Sequence, residues 1–155
     1  MDIADFLSRS EVMLDVRAFD KARLLHELAR RAAAKLHLAP DAVAEALLKR
    51  EELGSTGTGA GIAFPHARLP GVTKPFAMLA RLARAIDFDA IDGRPVDIVC
   101  LLLLPTNTPG EQLNALACAA RTLRDPDTIA RVRRAGDDFA LYAAVVKSPA
   151  KPKPG

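Results

Sequence analysis

Nine residues constrain this chain most: Val96-Asp97-Ile98-Val99-Cys100-Leu101-Leu102-Leu103-Leu104, with one charge among eight apolar side chains. A membrane-crossing helix needs roughly 20 such residues, so the run is too short for one. It also lacks the polar alternation of a sheet with one wet face. A strand points its side chains to two faces in turn, so this run predicts a strand covered on both. The rest of the chain has to supply that cover.

Helical patterns flank the run on either side. Leu24, Leu25, Leu28, Ala32 and Leu36 recur at helical spacing from Lys21 to Leu36, with Asp20 as N-cap. Pro40-Asp41 opens a second helix to about Leu53, with Val43, Ala46 and Leu47 on its inner face. Thr108-Pro109-Gly110-Glu111 has the residues of a capping box, and Leu113, Leu116, Ala117, Ala120 and Leu123 then mark a buried stripe. Asp125-Pro126 starts a further helix that Gly136 ends, and Asp137 caps a last one to about Lys147. Residues 1–10 read as a short helix or irregular lead-in, Glu11 to Val16 as a weakly alternating strand, and Asp92-Gly93 as a turn. Phe76 to Ala83 fits a helix through Leu79, Leu82 and Ala83, and a strand through Phe76, Met78 and Ala80. Residues 1–147 read as one domain. The Pro- and Lys-rich residues 148–155 cannot bury a core and predict a disordered tail.

The densest chemistry precedes a short expected strand, Ile62 to Ala67. Gly54-Ser55-Thr56-Gly57-Thr58-Gly59-Ala60-Gly61 lies between a charged helix end, Lys49-Arg50-Glu51-Glu52, and Ile62-Ala63-Phe64-Pro65-His66. Glycine costs folding entropy, and its gain here is bare amides and hydroxyls beside one imidazole. No Gly-Lys-Ser/Thr follows, so this is not a Walker loop, and Gly57-x-Gly59-x-Gly61 is not the dinucleotide spacing. A neutral imidazole is a nucleophile near pH 7 and can carry a phosphoryl group. Amides of Gly54 and Gly57 and the hydroxyls of Ser55 and Thr56 are candidates to bind its oxygens. Arg50, at the helix end, is the candidate for its charge, because a planar guanidinium suits phosphate oxygens.

Composition narrows the classes. In 155 residues, 22 Lys and Arg face 19 Asp and Glu, a net charge of +3, with no Trp and one Tyr. That balance argues against nucleic acid as a partner and against a membrane surface. The amino terminus lacks a basic-then-apolar signal, so the expectation is a cytoplasmic protein that is not membrane-embedded. Cys100 and Cys118 read as buried reduced thiols, His26 and His37 as ordinary partly exposed side chains, and no spacing suggests a metal site. Arg121, Arg124, Arg131, Arg133 and Arg134 make a basic carboxy-terminal region, read as a solvated helical face.

Leu48-Lys49-Arg50-Glu51, Gly54-Ser55-Thr56-Gly57 and Gly61-Ile62-Ala63-Phe64-Pro65-His66, in that order, resemble the active-site signature of the IIA proteins of the bacterial phosphotransferase system. The subgroup is the fructose/mannitol type, which includes the nitrogen-regulatory IIA proteins. Phe88-Asp89-Ala90-Ile91-Asp92-Gly93-Arg94-Pro95-Val96-Asp97 resembles the second signature of that family. The resemblance runs from about Glu11 to Lys147. It implies one three-layer α/β/α domain with a mixed sheet of about five strands, and it makes Phe76 to Ala83 a strand.

The resemblance also implies a role. His66 would accept a phosphoryl group from an HPr-like phosphohistidine carrier protein, with no cofactor, and its phosphorylation state would regulate partner proteins. In transport members the acceptor is instead a IIB cysteine. A non-catalytic anion- or partner-binding module is the alternative from another class. One departure stands out: where the family commonly has a second histidine, this chain has Gln112, which can donate a hydrogen bond to the phosphoryl group but brings no charge.

Overall fold

A computed structural model describes residues 1–107 and 109–146, without the side chains of Pro109, Glu111 and Gln112. Its strands are β1 (Val12–Val16), β2 (Gly57–Gly59), β3 (Ile62–Ala63), β4 (His66–Arg68), β5 (Phe76–Ile86) and β6 (Val96–Leu104). Its helices are α1 (Lys21–Leu36), α2 (Pro40–Glu52), α3 (Pro109–Arg124), α4 (Pro126–Arg134) and α5 (Asp138–Val146). Single 3-10 turns, Ile3–Asp5 and Arg9–Glu11, lead into β1.

The apolar run is the spine of the sheet. β6 pairs antiparallel with β5 on one side and parallel with β3 and β4 on the other. The strand order is β1-β5-β6-β3-β2, with β4 also on β6, so the sheet is mixed. Ile98, Cys100, Leu102 and Leu104 face one core, which also holds the buried residues of α3, α4 and α5. Val99, Leu101 and Leu103 face the other, shared with α1 and α2. The period of two thus divides one run between two cores, and the fold is three layers, α/β/α. Six strands replace the expected five or so, because part of the glycine segment itself pairs as β2.

Local rules place the helices well. The Asp20 side chain accepts from Arg23 N at 2.9 Å to cap α1, and His37 ends that helix in the left-handed conformation, φ 58°. Pro40 sits in the first turn of α2. Val43 and Leu47 are buried there as expected, but Ala44 takes the buried place expected of Ala46, which is half-buried.

Three other expectations change. Phe76–Ile86 is one strand longer than Phe76 to Ala83, paired on both edges, so sheet hydrogen bonds override the helix preference of Ala, Leu and Arg. The strand expected over Ile62 to Ala67 breaks at Phe64-Pro65 into β3 and β4, since proline cannot donate to the ladder. The buried stripe of α3 is Ala115, Cys118, Ala119 and Leu123, while Leu113 and Ala117 are exposed. That helix is apolar on more than one face, and its smaller side chains let it approach the sheet. The capping box at Thr108 and Glu111 and the tail over 148–155 lie outside the described residues. Cys100 and Cys118 are both buried and free, and burial pushes the Cys100 thiol up to about 12. No helix among the described residues is long and apolar enough to cross a membrane.

Candidate active site around His66

His66 begins β4, in register with Leu102 of β6. The break at Phe64-Pro65 turns the carbonyl of Phe64 back toward the ring, and His66 Nδ1 lies 2.9 Å from it. A carbonyl can only accept, so Nδ1 carries the proton and Nε2 keeps its lone pair. Arg50, in the last turn of α2, reaches that lone pair: its Nε donates to His66 Nε2 at 3.4 Å. Such a bond is long and weak, and therefore easily exchanged. Arg50 Nη1 is fixed by Gly54 O at 2.9 Å. The intrahelical ion pair that Arg50 could have made is absent among the described residues.

Burial is the main influence on the ring. It holds the His66 pKa below the ordinary 6.5, with the charges of Arg50 and Arg68 acting the same way. The Phe64 carbonyl and Glu51 oppose that shift without reversing it. The ring is therefore neutral near pH 7, with a free electron pair facing a guanidinium.

The glycine segment is built differently from the expected cup of free amides. Gly54 N donates to Glu51 O at 3.2 Å. Ser55 Oγ donates to Phe88 O at 2.6 Å and accepts from Gly57 N at 3.0 Å. Thr56 gives its amide to Glu51 Oε2 at 2.8 Å and its hydroxyl to Glu51 Oε1 at 2.7 Å. The donors of Gly54, Ser55, Thr56 and Gly57 that were expected to meet an anion are thus bonded within the protein. They build a wall braced against Arg50 and Glu51 at the end of α2. Gln112 lies in the first turns of α3, but its side chain is outside the described residues.

Several residues that sequence reasoning did not single out hold this wall. Glu51 is 9 % exposed and Thr56 4 %. Lys21 Nζ, from α1, pairs with Glu51 at 3.0 Å and with Asp89 at 3.4 Å, and lies 4.9 Å from the Phe88 ring centre. The second signature clamps the hairpin of β2 and β3: Ile91 N donates to Gly57 O at 3.0 Å, and Asp92 Oδ2 accepts from Ala60 N at 2.9 Å. At the hairpin tip Gly59, Ala60 and Gly61 all have positive φ, 110°, 60° and 81°. Arg133 of α4 holds the same tip through Ala60 O at 3.0 Å while pairing with Asp97 at 2.9 Å. The sequence signal for Glu51 was its place between Arg50 and the loop; nothing local marks Lys21 or Arg133.

A cavity of about 600 Å³ opens over the ring. Arg50, His66 and Arg68 line it together with Leu53, Leu113 and Leu116. Leu53 and Leu113 are 84 % and 69 % exposed, so the neutral imidazole sits in a shallow apolar surround with cations at its edge.

The family model for the phosphoenolpyruvate-dependent sugar phosphotransferase system, EIIA 2, matches residues 5–148. The chain belongs to that family. A nitrogen regulatory protein of Bradyrhizobium diazoefficiens is 41 % identical over 150 residues, covering 97 % of this chain and 98 % of its own. The nitrogen regulatory protein of Escherichia coli K12 is 35 % identical over 153 residues, covering 98 % and 94 %. Among solved structures, the nitrogen regulatory protein IIA-Ntr from Neisseria meningitidis superposes with a TM-score of 0.87 at 32 % identity, covering 92 % of this chain and 98 % of its own. IIA mannitol from Escherichia coli, at TM-score 0.75 and 18 % identity over 89 % of this chain and 97 % of its own, shares the fold. A phosphotransferase-system EIIA of the nitrogen-regulatory kind is therefore what this chain is similar to along nearly all its length.

Proposed function

We propose that His66 is the phosphoryl acceptor of this EIIA protein, reacting through Nε2. The observation that carries the reading is the tautomer: Nδ1 is committed to Phe64 O at 2.9 Å, leaving Nε2 as the nucleophile opposite Arg50. In the transfer, the bond from phosphorus to the donor nitrogen breaks and the electron pair returns to the donor. A bond from His66 Nε2 to phosphorus forms, and the positive charge that builds on the ring is shared through Nδ1–H with the Phe64 carbonyl. Arg50 gives up its weak bond to Nε2 and takes the phosphoryl oxygens. Positioning and charge neutralisation do most of the work in such a transfer. Gly54, Ser55, Thr56 and Gly57 serve by fixing the wall behind Arg50. In this reading Gln112, where the family commonly has a second histidine, is a neutral hydrogen-bond donor to the phosphoryl group.

The donor in this reading is an HPr-like phosphohistidine carrier in the cytoplasm. The phosphorylation state of His66 then regulates partner proteins. The near full-length similarity to nitrogen regulatory proteins supports regulation as the output. The second reading, transfer to a IIB cysteine during sugar uptake, is favoured by the family's description as a sugar phosphotransferase component.

Nitrogen-15 labelling of the histidines tests the acceptor atom. On phosphorylation the His66 Nε2 resonance couples to phosphorus while Nδ1 keeps its proton. Phosphorus on Nδ1, or on another residue, would contradict the assignment.

A further inference from the structure

A phosphoryl group on histidine brings close to two negative charges at pH 7. Arg50 brings one positive charge, and its Nη1 is already committed to Gly54 O. The wall offers little else, because the donors of Ser55, Thr56 and Gly57 are bonded within the protein. Glu51, whose charge opposes that of Arg50 at the ring, is itself paired with Lys21, so that pair adds no cation to the site. The site as described so far is short of one cation.

Arg68 fills that gap by its place on the strand. His66 and Arg68 are the first and last residues of β4, with Ala67 buried between them. Side chains two apart in a strand share a face, with Cα atoms roughly 6.6 Å apart, within the reach of an arginine side chain. Both line the one cavity over the ring. Arg68 is exposed, and no hydrogen bond or ion pair among the described residues engages it. A guanidinium without a carboxylate partner, beside a nucleophile and on the same face, is suited to an anion that arrives.

We propose that Arg68 is a second phosphoryl-binding residue, closing on the oxygens from the strand side while Arg50 closes from the helix side. This rests on His66 being the acceptor. Arg68 touches the group only once it is on, or approaching, Nε2, so it favours the transfer state over the free protein. Lys49 also lines the cavity but projects from α2, and it serves as the control for surface charge in general.

The test uses the full chain and a small donor, potassium phosphoramidate, so that docking of a carrier protein plays no part. Four proteins are compared: unaltered, Arg68→Gln, Arg68→Lys and Lys49→Gln. The rate of His66 phosphorylation falls roughly tenfold in Arg68→Gln at low salt, and the gap narrows as salt screens an exposed cation. Arg68→Lys keeps most of the rate and Lys49→Gln all of it. In the free protein, Arg68→Gln also raises the His66 titration midpoint in NMR spectra. An unchanged rate in Arg68→Gln overturns the proposal, whether or not the midpoint moves, and so does an equal loss in Lys49→Gln. If the unaltered protein takes no phosphoryl group from phosphoramidate or from a phosphorylated carrier, the acceptor reading itself falls.

Discussion

Glu51 holds Thr56 by both of its carboxylate oxygens, one on the amide at 2.8 Å and one on the hydroxyl at 2.7 Å. This pair joins the end of α2, which carries Arg50, to Thr56 just before β2, and the Thr56 carbonyl in turn accepts from Phe64 N at 3.0 Å. With Lys21 at 3.0 Å it forms a partly buried network under the site. A network of this kind stabilises only while each member keeps its partners.

Truncation and isosteric replacement of Glu51 should therefore differ. Glu51→Ala leaves the Thr56 amide and hydroxyl without their acceptor and Lys21 with Asp89 alone, and lowers stability by about 3 kcal/mol. Glu51→Gln costs about 1 kcal/mol, because the Thr56 hydroxyl can turn to accept from the new amide. Denaturant titrations of the two variants check the order. Equal losses would mean the bonds to Thr56 contribute little.

Gly57 is required by space. A Cβ there would lie 2.9 Å from Ala90 Cβ and 3.0 Å from Ala90 Cα, and backbone cannot yield as a side chain end can. Gly57→Ala should cost about 1–3 kcal/mol by forcing the second signature away from the hairpin. Adding Ala90→Gly should return part of that loss, since it removes the Cβ contact but leaves the Cα one. Thermal melts of the single and double variants measure this.

Much of this architecture was legible in the sequence. Asp20, Pro40 and the 96–104 run each act through neighbours in the chain, so their signals are local. Phe76–Ile86 was ambiguous because its residues favour a helix, and only pairing on both edges, in three dimensions, decides the matter. The α3 stripe was misplaced by the presence of two apolar faces: one meets the sheet, and Leu113 and Leu116 are turned to the His66 cavity. At the site, His66 and Arg50 were visible as chemistry. The roles of Ser55, Thr56 and Gly57 were not, because a hydroxyl or amide in a glycine-rich stretch looks the same whether it awaits a ligand or is bonded to Glu51 or Phe88.

The depressed pKa of His66 carries a stability sign. Its proton binds more weakly in the folded chain than at the ordinary 6.5, so unfolding takes up protons as pH falls. The contribution of the neutral ring is complete above about pH 6.5, declines as pH drops through that value, and levels off below the folded pKa. His66→Gln should remove this part of the acid sensitivity, as denaturant melts at neutral and mildly acidic pH would show. The same downward shift moves the acid limb of the phosphorylation rate below the ordinary 6.5, which a pH profile of the rate would show.

Arg50 has a distinct signature. Arg50→Ala removes the donor facing Nε2 and should slow phosphorylation roughly hundredfold, as loss of a transition-state charge partner does. It also frees Gly54 O, so the fold is checked alongside by circular dichroism. A normal rate in a folded Arg50→Ala protein would assign the cation role elsewhere.

The most direct test of the whole account is intact mass after incubation with a phosphorylated HPr-like carrier. The account predicts the gain of one acid-labile phosphoryl group by the unaltered protein and none by His66→Ala. No gain in the unaltered protein, or an equal gain in His66→Ala, would contradict it.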